Sequence, residues 1–400
     1  MGQYTALDNP TVDQMIQNHL EQILAALTAR VAPQAVILYG STARGEASVL
    51  VEGEHITMLS DYELSVVGRS PRLRRLLAAL SRQMTQQLGV STGINWMRPG
   101  RLWTNHTKNL AFGRATPSIF MYELKSAGRV IYGQDLLRVC PPIHPTDIPL
   151  TSGIALLLNR LAEALAYLPC ASEPHARLDT LMWINKVVLA CADALLLSAG
   201  QYHYSYAERG RRFAQAGDAF APLIAQVPAM PALVERAVEF KLRPRLDLYP
   251  DDLCAVWREV GAMADVVFRR LVYCQYGQIF DTYAEYPAQH LALLHRTRSS
   301  RLGGGVSLFR HKLVEGLKHV DQRRWPPPVF RTRRSPAQVV YALTPVVFQS
   351  CFSEQRGGML SEARRWLALL GPLEPPSADW QTEWNHLRQC LVWNWRVFCY

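Results

Sequence analysis

The 400-residue sequence has no uninterrupted apolar run of the ~20 residues that a membrane-spanning helix needs. Residues 180–200 come nearest, and Lys186 and Asp193 interrupt them. The opening MGQYTALDNP lacks the basic start and apolar core of a signal peptide, and Ala6 stands where an N-myristoylation site needs Ser or Thr. The eight cysteines contain no Cys-x-x-Cys pair, and the eleven histidines form no ligand-spaced cluster. Buried free thiols in a reducing cytoplasm are therefore expected, not a disulfide framework or a zinc site. There is no internal repeat. Gly303-Gly304-Gly305 lacks the Lys-Ser/Thr that would make it a P-loop. Charged residues are scarce at 19%, against 49% hydrophobic, an ordinary globular balance with apolar mass for two or three domains. A net charge of +10 is compatible with a polyanionic partner and equally with an Arg-rich solvated surface.

Residues 35–67 organise the rest. Ala35-Val36-Ile37-Leu38-Tyr39 is short, continuous and rich in β-branched and aromatic residues, as a buried strand should be. Gly40 permits a sharp turn and a close approach. Ser41 and Thr42 are good helix N-cap types, and Glu46 suits an early helical turn. A strand feeding a helix N-terminus through Gly-Ser presents N–H groups and a hydroxyl to an anion, most simply a phosphate. Residues 47–59 read as a β-excursion turning at Glu52-Gly53-Glu54. In Asp61-Tyr62-Glu63, strand alternation puts both carboxylates on one face. Side by side they repel unless a cation lies between them, and Mg²⁺ is the natural one.

The pattern apolar-Gly-Ser-x-x-Arg-Gly-Glu followed by Ser-Asp-x-Glu-apolar resembles the DNA polymerase β-like nucleotidyltransferase superfamily. The Asp-x-Glu form is most similar to its small-molecule branch, the aminoglycoside nucleotidyltransferases among them. The resemblance covers about residues 10–135. It implies an α+β fold: an N-terminal nucleotidyltransferase-fold mixed sheet flanked by helices, then a large all-helical C-terminal region. It also implies transfer of a nucleotide from a nucleoside triphosphate, ATP first, to a hydroxyl-bearing acceptor, a small molecule before a nucleic acid. Gly40 and Ser41 would hold the phosphates, and Asp61 and Glu63 would coordinate Mg²⁺. Arg44 either touches phosphate or pairs with Glu46 or Glu63. The alternative is a weak or inactive member that binds nucleotide as a regulatory module.

The superfamily usually places a third carboxylate on the next strand. Here that strand, Thr92-Gly93-Ile94-Asn95-Trp96-Met97, offers Asn95, an amide that is a poor base and a poor Mg²⁺ ligand. Glu123 is the other candidate, either the third carboxylate or a solvated charge on a helix over residues 117–125. Flanking elements are an amphipathic helix over 11–31, a crossover helix begun by Ser70-Pro71, and an apolar segment at 129–133. Arg101 and His106 have the Arg-x₄-His spacing of some helical ribonucleases but fall in the α/β part, so the match is taken as chance.

Proline-rich residues 141–145 mark the first boundary, giving a catalytic domain over 1–140, a helical domain over 151–290 that closes the cleft, and a basic, Trp-rich helical region over 291–400. Helices are expected over 152–168 with Ser152 as cap, over 178–199 closing at Gly200, from Pro231, and from 252 to about 273. Lys186 and Asp193 share a face, so Lys186 either pairs with Asp193 or reaches a triphosphate. Tyr202, Tyr204 and Tyr206 form either a stacking surface or a packed corner. Residues 299–334 suggest a basic amphipathic helix, and the late tryptophans a packed cap.

Overall fold

The computed structural model describes residues 2–104, 107–108, 115–171, 175–299 and 335–399. It is a mixed α+β structure, with a small mixed sheet near the N-terminus and a helical C-terminal region. Asn9 starts the first helix, α1 (Pro10–Thr28), its side chain accepting from the N–H groups of Thr11 and Val12. Val12, Ile16, Leu20, Ile23 and Leu27 recur at helical spacing, and all are buried. Next come β1 (Ala35–Tyr39), buried along its whole length, and a short helix α2 (Gly40–Arg44). The excursion is the hairpin of β2 (Val49–Glu52) and β3 (His55–Met58), turning where Gly53 has φ +61°. There follow β4 (Tyr62–Val67), α3 (Leu73–Leu88), β5 (Thr92–Met97) and α4 (Pro99–Thr104). Short β6 (Thr107–Lys108) and β7 (Ala115–Thr116) precede α5 (Ile119–Ala127) and β8 (Arg129–Gly133).

The main sheet has the order β5-β4-β1-β8. Strand β1 runs antiparallel to β4 and β8, whereas β4 and β5 are parallel, so α3 serves as the crossover that parallel pairing requires. Alternation then divides the core. Val36, Leu38, Leu64 and Val66 face Ile16, Leu20, Leu77 and Leu80 of α1 and α3. Ala35, Ile37 and Tyr39 face Met121 and Leu124 of α5 on the other side, where Leu197 and Tyr202 of the helical region join them.

The helical region contains α6 (Leu150–Ala164), α7 (Arg177–Ser198), α8 (Tyr206–Gln215), α9 (Gly217–Gln226), α10 (Met230–Leu242), α11 (Leu253–Tyr276) and α12 (Tyr286–Ser299). It ends with α13 (Pro336–Ser350), α14 (Arg356–Leu367) and α15 (Trp380–Phe398). Helix α7 is central, in contact with α6, α8, α10 and α11. Among the described residues it is the one helix long and apolar enough to cross a membrane, but 78% of that window is covered by protein. One apolar cluster runs continuously from α6 to α15, and the boundary expected between 290 and 291 falls inside α12. In α15, Trp384 and Trp395 are buried, and their indole N–H groups donate to Val347 O and Asn159 Oδ1.

Two expectations need correction. Ser152 does not cap α6: the helix starts at Leu150, and the Ser152 N–H already donates to Pro149 O inside the first turn. The cysteines are not all free either. Cys170, beyond α6, forms a disulfide with Cys351 at the end of α13, their Cα atoms 6.1 Å apart. Helix packing brings together two residues 181 apart in the chain, which spacing alone does not reveal. The basic segment at 300–334 and His106 lie outside the described residues.

Candidate active site

The end of β1, the start of β4, helix α5 and the helical region enclose one cleft of about 250 Å³. Gly40, Ser41, Arg44, Asp61, Glu63, Glu123 and Lys186, all singled out from the sequence, line it. Antiparallel pairing of β1 with β4 sets Tyr39 opposite Glu63, so the Gly40–Ser41 corner lies against the carboxylates. Gly40 has φ +73°, and a Cβ there would overlap the Glu63 carboxylate. Helix α2 is five residues long and begins at Gly40 with no side-chain cap. Ser41 and Thr42 are therefore inside it and do not cap it. Ser41 Oγ donates to Ser60 Oγ at 3.0 Å.

Asp61 immediately precedes β4 and is exposed, whereas Glu63 is half-buried. Among the described residues neither accepts a hydrogen bond or ion pair from the protein. Burial, and then the neighbouring charges of Asp61 and Glu123, push Glu63 up to about 7. Two hard-oxygen donors without protein partners, repelling one another beside a Gly-Ser corner, fit the coordination preferences of Mg²⁺. They stand as a pair: among the described residues no group of three His, Cys, Asp or Glu side chains is placed to hold a metal ion.

Glu123 lies on helix α5, whose N-cap Ser118 accepts from the Met121 N–H. It is neither a strand carboxylate nor a solvated charge. Its Oε2 accepts from Arg44 Nη1 at 3.0 Å, and its Oε1 from Tyr202 Oη at 2.6 Å and Arg209 Nη2 at 3.1 Å. Burial opposes its ionisation, but Arg44 and Arg209 hold it below the usual carboxylate range. Arg44 Nε also lies 3.4 Å from Glu46 Oε2, and Arg209 Nη1 2.5 Å from Asp193 Oδ2. The result is a buried chain of alternating charge: Glu46, Arg44, Glu123, Arg209, Asp193. Of the pairings weighed for Arg44, it makes the one with Glu46. Glu46 is not in an early helical turn of its own segment but caps α8 across the cleft, accepting from Ser205 Oγ, Tyr206 N and Ala207 N.

Lys186 does not pair with Asp193. Its Nζ lies 4.2 Å from the centre of the Trp183 ring, and burial followed by the charge of Arg160 lowers its pKa. Asn95 is exposed on β5, does not line the cleft, and donates to Tyr39 Oη at 3.1 Å. Tyr202 is fully buried, and Tyr206 lies beneath Arg44, Arg209 and Lys241, at 5.2, 3.9 and 5.2 Å from its ring centre.

Sequence reasoning missed Lys241, Arg209 and Arg160, and gave Ser60 no role beyond its place in the Ser-Asp-x-Glu pattern. Lys241 Nζ donates to Ser60 Oγ at 3.1 Å, and its own carbonyl accepts from Ser48 Oγ at 2.6 Å. Burial, then Arg44 and Lys186, push it down to about 7. Nothing in Phe240-Lys241-Leu242 distinguishes this lysine from an ordinary charge near a helix end. With these residues the cleft has on one wall two carboxylates that, among the described residues, have no protein donors, and cationic side chains from α6, α7 and α10 on the other. In comparisons with known proteins, no family model, curated protein or solved structure matches the chain.

Proposed function

We propose that this protein is a nucleotidyltransferase of the DNA polymerase β-like superfamily. In this reading it uses Mg²⁺ to move a nucleoside monophosphate from a nucleoside triphosphate, with ATP the first donor to try, to a hydroxyl of a small-molecule acceptor. The acceptor oxygen bonds to the α-phosphorus, the bond from that phosphorus to the bridging oxygen breaks, and pyrophosphate leaves with the electron pair. The acceptor's proton passes to solvent.

One observation carries this reading: among the described residues Asp61 and Glu63 have no protein donors, and they lie beside the Gly40–Ser41 corner in a cleft whose far wall holds Lys186 and Lys241. Mg²⁺ held by Asp61 and Glu63 would offset charge growing on the phosphoryl oxygens. The space beside Gly40 is taken by the Glu63 carboxylate, and the Ser41 hydroxyl can turn from Ser60 to donate to a phosphate. Lys241 and Lys186 are positioned to neutralise the tail. Arg44, committed to Glu46 and Glu123, shapes the wall instead.

A second reading rests on a specific observation. The oxygens of Glu123 are occupied by Arg44, Arg209 and Tyr202, and Asn95 lies outside the cleft, so neither position considered for a third carboxylate stands ready as a base. A protein so equipped could bind nucleotide without transferring it. Mg²⁺-dependent pyrophosphate release, measured over a panel of triphosphates and hydroxyl acceptors, separates the two. Transfer that falls at least about a hundredfold in Asp61→Asn and Glu63→Gln supports the first. Transfer that survives both substitutions refutes the site, and nucleotide binding without pyrophosphate release across the panel supports the second.

A further inference from the structure

Between Glu63 and Glu123 the chain carries no acidic residue at all. Those 59 residues hold eight arginines and Lys108, nine of the ten net positive charges of the protein. Folding gathers part of this block where β4 and β5 end and α3 begins, on the edge strand of the sheet. Arg69, Arg72, Arg74, Arg75 and Arg98 are all exposed there, and among the described residues none has a carboxylate partner. The guanidinium groups of Arg74 and Arg98 converge on the half-buried Trp96, at 4.7 and 5.5 Å from its ring. Trp103, on the adjoining α4, is 43% exposed. Burial, then the charge of Arg74, lowers the pKa of Arg101 beside them.

Helix stability does not explain the arrangement. A first helical turn favours acidic residues, and α3 has none, with arginines at 72, 74 and 75 instead. Unpaired guanidinium groups interleaved with indoles suit a partner that offers regularly spaced phosphates and flat faces for stacking. A lipid surface suits this face less well. The apolar stripe of α3, Leu77, Leu80 and Met84, is buried against the sheet and cannot enter a bilayer. None of these residues lines the cleft.

We propose that this face binds single-stranded nucleic acid. The proposal does not depend on the transfer reaction, so its test is run without nucleotide and in EDTA. The full chain is titrated into fluorescein-labelled 20-nucleotide oligo(U) and oligo(dT), the two arms distinguishing RNA from DNA, and anisotropy is read over a range of salt. Five phosphate contacts, at about 0.7 each, give a log–log salt slope of about −3.5. Fourfold more salt should then weaken binding roughly a hundredfold. Arg72→Glu with Arg75→Glu, and separately Arg74→Ala with Arg98→Ala, should each weaken binding at least about tenfold. The first pair should leave the melting temperature unchanged or raised, because it gives α3 the charge its first turn favours. Absence of binding at low salt, or binding that neither substitution pair weakens, would overturn the proposal. So would capture by phosphatidylserine-containing vesicles through these arginines with neither oligonucleotide bound.

Discussion

The carboxylate of Glu63 occupies the space that a side chain on Gly40 would need. The two residues meet because β1 and β4 are antiparallel, with Tyr39 opposite Glu63, and because Gly40 turns the chain at φ +73°. Glycine is required twice here, by the backbone angle and by the carboxylate. Gly40→Ala should cost ~1–3 kcal/mol in urea denaturation and expel Glu63 from the corner, weakening Mg²⁺ binding. A variant as stable as the parent, with the same Mg²⁺ affinity by calorimetry, would contradict this account.

Glu63 should make stability depend on pH. Folding raises its pKa from 4.5 to about 7, so the folded state holds a proton that the unfolded chain has lost. This contribution is complete below about 4.5 and disappears as pH rises through about 7, a change on the order of 3 kcal/mol in metal-free protein. Glu63→Gln should flatten the stability profile across that window and leave the variant at least as stable as the parent at pH 8 without metal. Added Mg²⁺ should stabilise the parent and not the variant. Denaturation at a series of pH values, with and without Mg²⁺, reads all of these outcomes.

Lys241 is expected to take up a proton when an anion enters the cleft. Its folded pKa is pushed down to about 7, so at pH 8 most of it is neutral. A bound phosphate tail favours the charged form. Calorimetric titration of inorganic triphosphate in EDTA, in two buffers of different ionisation enthalpy, should show uptake of up to about one proton. Lys241→Met should bind triphosphate at least about tenfold more weakly, with less uptake. Equal uptake in the variant would assign the proton elsewhere.

Glu123 is expected to act as a structural centre. Glu123→Gln leaves the Arg44 and Arg209 guanidinium groups short of charge in a buried setting, which should cost ~3 kcal/mol or more. Mg²⁺ affinity at Asp61 and Glu63 should change less than about threefold, since Glu123 is bound to the arginines. A large loss of Mg²⁺ affinity with little loss of stability would make Glu123 a metal ligand after all.

The N-terminal elements were legible because their signals are local. Alternating or continuous apolar residues marked β1 and β4, Gly53 marked the hairpin, and helical spacing with Asn9 and Pro10 marked α1. Gly40, Ser41, Asp61 and Glu63 were legible too, because one hairpin's length of chain separates them and strand pairing alone brings them together. Glu123 was ambiguous: its local sequence suits a helix, but a helical carboxylate becomes a charge centre only when guanidinium groups from elsewhere close over it.

The sequence by itself thus determined a strand-to-helix corner, two neighbouring carboxylates and a long helical remainder, all consequences of near-neighbour geometry and apolar periodicity. The tertiary structure alone decided that Lys241 reaches Ser60 from 181 residues away, that Arg209 ties Glu123 to Asp193, and that Cys170 meets Cys351. Those contacts follow from how the helices of the C-terminal region pack on one another and beside the sheet. Packing of that kind is set by the whole apolar core at once and leaves no mark in the few residues around each side chain.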